Sequence, residues 1–65
     1  MKYTKRFTNA DRDEATRLAT EYAEGISEYY TPRVEGPFRV VTANPYELPR
    51  DTGEFAADAV WYTWD

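Results

Sequence analysis

Sixty-five residues, with eight basic and twelve acidic side chains, give a net charge of −4 and room for a single domain spanning 1–65. The chain has no Cys and no His, which excludes disulfides, thiolate metal sites and the commonest general bases and soft nucleophiles. Aromatic residues make up 17% of the chain, so large side chains must supply the stability that covalent staples do not.

The opening "MKYTKRFTN" is positive but has no apolar run behind it, so it does not read as a secretory signal. No long apolar segment follows, and a soluble, cytoplasmic protein is expected. Charge is segregated along the chain. Residues 1–9 carry +3, residues 10–30 carry −4 and residues 31–65 carry −3. Such an acidic balance disfavours general affinity for nucleic-acid phosphates and suits a basic protein partner.

"KYTKRF" (2–7) alternates Tyr3, Lys5 and Phe7 with Lys2, Thr4 and Arg6, the pattern of a half-buried edge strand. "TNADRDE" reads as a helix start, with Thr8 or Asn9 as cap and Asp11, Asp13 and Glu14 near the positive end of the helix dipole. Ala15, Leu18, Ala19, Tyr22, Ala23, Ile26, Tyr29 and Tyr30 form one apolar stripe; Gly25 marks either a close approach to the sheet or an early loosening of the last turn, and Pro32 is expected to stop the helix at about Tyr30. "TPRVEGP" reads as a loop and "FRVVTA" (38–43) as a strand with Phe38 and Val40 on one face and Arg39 and Val41 on the other. "NPYELPRDTGE" (44–54) has the composition of a long connection, and a final strand covers about 56–64.

The expected fold is therefore α+β: β-α-β-β, one helix packed on one face of a three-stranded, mainly antiparallel sheet. The preferred arrangement puts the aromatic last strand in the centre, where it is best buried; the plain order first, second, third is the alternative. Placing Val60, Tyr62 and Trp64 towards the helix leaves Trp61 on the open face beside Val41 and Arg39. There Trp61 either lies flat under Arg39 or forms a partner or self-association surface. A register shift of one residue would bury it instead.

Glu14, Arg17, Glu21, Glu24 and Glu28 are spaced 3, 4, 3 and 4, which places them in one row opposite the apolar stripe. The row reads as the solvated back of the helix, with Arg17 bridging Glu14 and Glu21, or as a negative surface that docks on Lys/Arg. The 44–54 segment, bearing Tyr46, Glu47, Leu48 and Arg50 between Pro45 and Pro49, reads as a stiff connection or as an insertion loop for a partner. No catalytic constellation, calcium loop or phosphate-binding glycine loop is present in the sequence, and neither enzyme activity nor a cofactor is expected.

"FTNADRDEATRLATEY" followed by "GPFRVV" resembles the strand, capped helix and strand of small phage-encoded α+β proteins, some of which inhibit host machinery, including anti-CRISPR proteins and inhibitors of host RNA polymerase. The likeness covers about residues 3–41 and rests on Phe7, Asp13-Glu14-Ala15, Leu18-Ala19, Tyr22 and Phe38-Arg39-Val40-Val41. It carries no functional residues over and implies a protein-binding inhibitor.

The primary expectation is thus a small acidic protein-binding module that masks a basic surface of a host protein or nucleoprotein complex. Its candidate contacts are Glu14, Glu21, Glu24 and Glu28 on the helix, and Arg39, Val41, Tyr46, Arg50 and Trp61 on the sheet face and loop. Two readings stand beside it. One is a homodimer or regulatory oligomer pairing around Trp61 and Val41. The other is a single-stranded nucleic-acid binder using Lys2, Arg6, Arg39 and Trp61.

Overall fold

The computed structural model describes residues 1–64; the side chains of residues 43 and 44 lie outside the described set. The elements are β1 (Lys2–Asn9), α1 (Arg12–Glu24), a 3-10 turn (Glu28–Tyr30), β2 (Arg33–Asn44) and β3 (Glu47–Tyr62). The sheet order is β1-β3-β2, with both pairings antiparallel, so the aromatic last strand is central as expected. The main-chain pair Met1 and Thr63 extends the β1–β3 ladder by one step, through bonds of 2.6 and 2.8 Å.

The helix packs on the sheet through its smallest side chains. Ala15, Ala19 and Ala23 recur every four residues, form one buried stripe, and face the buried Ala57 and Ala59 of β3. Phe7, Val34 and Phe55 close the sides of this alanine interface. Short side chains on both surfaces let the helix approach the sheet closely, and the larger apolar groups pack around the contact instead of inside it.

This packing reverses the expected faces of β3. Ala57 and Ala59 lie under the helix, and Trp61 shares their face: it stacks on Tyr3 (5.7 Å between centroids) and tilts against Tyr22 (5.7 Å). Val60 and Tyr62 point to the open face. Phe38 does so too, opposite Ala56 and beneath the Arg6 guanidinium (4.7 Å), whereas it was expected under the helix. Arg39 moves the other way, onto the Phe55 ring (5.0 Å).

Three boundaries also differ from expectation. The helix ends at Gly25, whose N–H bonds to Tyr22, so Glu28, Tyr29 and Tyr30 belong to the 3-10 turn and not to the helix. The N-cap is Asp11, which accepts from the Asp13 and Glu14 amides, while Asn9 accepts from Asp11 one step earlier. Residues 33–35 are already strand, and the chain then steps across the ladder at Gly36-Pro37, joined by a cis peptide bond. Gly36 has φ 102°, and a Cβ there would lie 2.9 Å from the Ala56 carbonyl oxygen. Only glycine fits that approach.

The largest difference lies at 44–54. This segment is strand and not a long connection: a two-residue turn at Pro45-Tyr46 links β2 directly to β3. Because β1 reaches only to Phe55, residues 47–54 pair with β2 alone and form a two-stranded arm. The arm makes the molecule long: backbone extents are 42 × 26 × 10 Å and the radius of gyration is 13.7 Å. A compact chain of this length would have about 11 Å.

Candidate functional site

The acidic row begins as the periodicity demands. Arg17 donates to Glu14 (2.9 Å from Nε to Oε2) and also to Glu21, so one guanidinium clamps two carboxylates. Hydrogen bonding from Arg17, more than charge attraction alone, holds Glu14 below its ordinary carboxylate value and raises Arg17 above its own. All of these groups lie at the surface, so the clamp adds little to stability. Its consequence is a redistribution of charge. Glu14 and Glu21 share the one positive charge of Arg17 and together keep a net −1, whereas Glu24 and Glu28 form no ion pair among the described residues. Glu28 lies beyond the helix end, on the 3-10 turn.

The sheet-face candidates are not one surface. Arg39 sits opposite Phe55, six positions along β3 from Trp61, which corresponds to about 20 Å of strand. Lys2 and Arg6 project from the open face, and Trp61 lies on the covered one. The residues grouped for nucleic-acid stacking are therefore divided between two faces. Pairing of two copies through an open face around Trp61 likewise has no such surface to use.

The open face carries its own roof. Central-strand residues Ala56, Asp58 and Val60 are short and buried, and longer side chains from the edge strands lie over them. Arg6 bonds Asp58 through both oxygens (2.8 and 3.0 Å) while resting on Phe38. The Asp58 hydrogen bond raises the Arg6 pKa. Arg33 donates to the Tyr62 hydroxyl (3.0 Å) and bridges Glu35 (2.9 Å). Val60 lies between Thr4 and Arg33 and is 1% exposed, although no second layer covers this face.

Val41, Tyr46, Leu48 and Arg50 all lie on the arm, with Val41 opposite Asp51 and Arg50 opposite Thr42 on the other face. Every described side chain from Val41 to Glu54 is exposed, with Tyr46 at 93% and Leu48 at 86%. The arm is nevertheless braced at its base. Arg39 pairs with Asp51 (2.6 Å), and the Thr52 hydroxyl donates to the Val40 carbonyl (2.8 Å). The turn chemistry of "RDTG" is used there in a different way. The Asp51 carboxylate accepts from the Gly53 amide (2.8 Å), shaping an irregularity inside β3 and not a hairpin turn.

One concavity went unread in the sequence. A groove of about 460 Å³ lies between the end of α1 and the start of β2, lined by Ala23, Glu24, Ile26, Glu28, Pro32 and Val34 among others. It brings together the apolar end of the helix stripe and the segment that "TPRVEGP" assigns to a loop. Its sequence signal was Ile26 and Pro32 on either side of a short turn. Among the described residues no three potential ligands cluster to hold a metal ion, and no helix is long and apolar enough to cross a membrane. No protein-family model, no curated protein and no solved structure matches the chain.

Proposed function

We propose that the chain is a small cytoplasmic protein-binding module, of the kind that inhibits a larger complex by covering a basic surface. The observation that carries the reading is the braced arm, 39–54, which presents Val41, Tyr46 and Leu48 to solvent away from the alanine core. A two-stranded arm already ordered by its base contacts loses little entropy on docking. Tyrosine is among the residues that concentrate binding energy at interfaces. The net charge of −4 supports a basic partner, and the resemblance to phage-encoded inhibitors supports an inhibitory role.

The test is affinity capture from bacterial lysate, with mass-spectrometric identification and then titration of the purified partner. The Tyr46→Ala/Leu48→Ala double variant should lose about 2 kcal/mol of binding, roughly 30-fold, with the fold retained by circular dichroism. Equal binding by that variant would remove the arm from the interface and with it this reading.

A further inference from the structure

The groove beside the end of α1 has an apolar floor of Ala23, Ile26, Pro32 and Val34 and a rim of two carboxylates, Glu24 and Glu28. We propose that it receives one apolar side chain of a protein partner flanked by lysine or arginine, that is, a basic-apolar peptide segment. The inference rests on reading the chain as a protein-binding module, but it does not depend on the arm.

Three features set this chemistry. First, the floor offers little hydrogen bonding. Of the two threonines in the lining, Thr20 donates its hydroxyl to the Thr16 carbonyl at 2.8 Å, and Thr31 is solvent-exposed. An aliphatic side chain matches such a surface, whereas a sugar or a nucleobase edge would leave polar groups unpaired.

Second, the electrostatics are one-sided. Glu24 and Glu28 have no ion pair among the described residues, and α1 carries no basic residue in its last turn, so the negative end of its dipole is left uncompensated beside the groove. Arg33 is the cation of the lining, but its guanidinium is engaged on the open face by Glu35 and the Tyr62 hydroxyl. The local field therefore favours a cation next to the buried side chain and repels phosphate.

Third, size and shape select a segment over an engulfed molecule. The volume lies within the roughly 300–1,000 Å³ of ordinary ligand pockets, yet the groove is open along the helix end, so a chain can pass over it with one residue inserted.

The experiment is an NMR titration of the isotopically labelled protein with a synthetic peptide of one leucine flanked by lysines. Control peptides replace the leucine by glycine or the lysines by glutamate. Saturable shifts at the amides of Ala23, Ile26 and Val34 are expected, and neither control should bind comparably. Glu24→Gln with Glu28→Gln should weaken binding about tenfold or more, and Ile26→Lys should abolish it. Glu21→Gln, which lies in the Arg17 clamp, should leave it unchanged.

Absence of saturable binding, equal binding of the glycine peptide, shifts mapped elsewhere, or an unaffected double Gln variant would each overturn the inference. So would concentration-dependent self-association competed by the peptide, because the occupant would then be a second copy. The arm variant Tyr46→Ala/Leu48→Ala, run with the same peptide, separates the two proposals. Groove binding should survive it, while capture of the protein partner should not.

Discussion

Trp61 lies flat against Tyr3, with ring centroids 5.7 Å apart and planes 16° from parallel, and Tyr22 of α1 tilts against the indole at 5.7 Å. Phe7 continues the series against Tyr22 at 5.5 Å. This row flanks an alanine interface that buries little area of its own, so it supplies packing that the core lacks.

Trp61→Ala should therefore act on stability and not on oligomeric state. Full burial would make the loss about 3–5 kcal/mol; the indole is half-buried, so about 2 kcal/mol is expected, or a drop of about 10 °C in melting temperature. Thermal denaturation by circular dichroism, with light scattering at matched concentration, checks both parts. A change in mass with no change in stability would refute the assignment of Trp61 to the covered face.

The Arg6–Asp58 pair makes an asymmetric prediction. Asp58 is 6% exposed, on the central strand, while Arg6 reaches it from the edge and remains about half exposed. Arg6→Ala strands a buried carboxylate and should cost about 1–2 kcal/mol, less than the roughly 3–5 of a fully buried pair. Removing both groups should cost less than the sum of the single changes. Urea denaturation of the double-mutant cycle measures that coupling, and strict additivity would show the pair to be energetically idle.

Element order and the Glu14–Arg17–Glu21 clamp were legible because they follow from periodicity and spacing along single elements, and the central last strand because the most apolar strand is best buried between two neighbours. The faces of β3 were not. Size alone suggests that Val60, Tyr62 and Trp64 belong to the core, yet a helix stripe of Ala15, Ala19 and Ala23 needs small residues opposite it, and Ala57 and Ala59 provide them. With a period of two, that choice moves Trp61, Phe38 and Arg39 together. The arm was hidden by Pro45, Pro49 and Gly53, which read as connection. Both strands of a two-stranded arm are edges, and edges tolerate proline. The helix end was hidden because Pro32 is a stronger signal than Gly25, although the glycine comes first in the chain.

Capping at Asp11 separates the observed helix start from the expected one. Asp11→Ala frees the Asp13 and Glu14 amides and should cost about 1 kcal/mol. Thr8→Ala, one of the caps the sequence suggested, should change stability by no more than about 0.5 kcal/mol, since Thr8 is an exposed β1 residue opposite Ala56. Chemical denaturation of the two variants distinguishes them, and the reverse ranking would move the cap.

Gly36 and Gly53 both have positive φ, 102° and 78°, but their surroundings differ. A Cβ at Gly36 would meet the Ala56 carbonyl at 2.9 Å and the Ala57 Cα at 3.3 Å; at Gly53 nothing lies within 4 Å. Gly53→Ala should therefore cost only the backbone term, about 1 kcal/mol. Gly36→Ala adds a clash with main-chain atoms that cannot rotate away, and should exceed about 2 kcal/mol. Comparable losses in the two melting curves would mean that β2 does not approach β3 so closely at this step.

The pH dependence of the clamp has a definite sign. Hydrogen bonding from Arg17 holds Glu14 below its ordinary value of 4.5. A carboxylate depressed in the folded state contributes its increment fully above the unfolded value and loses it as pH falls through the folded one. The clamp should thus support α1 at neutral pH and release it only below pH 4.5, with a small effect because the groups face solvent. An NMR titration of the Glu14 side-chain carboxyl should show a midpoint below 4.5 that returns towards 4.5 in Arg17→Gln. If the midpoint does not move in that variant, the depression comes from the helix dipole and not from Arg17. Glu14 would then feel its place in the first turn, and the two unpaired carboxylates beside the groove would no longer be distinguished by what Arg17 does to the others.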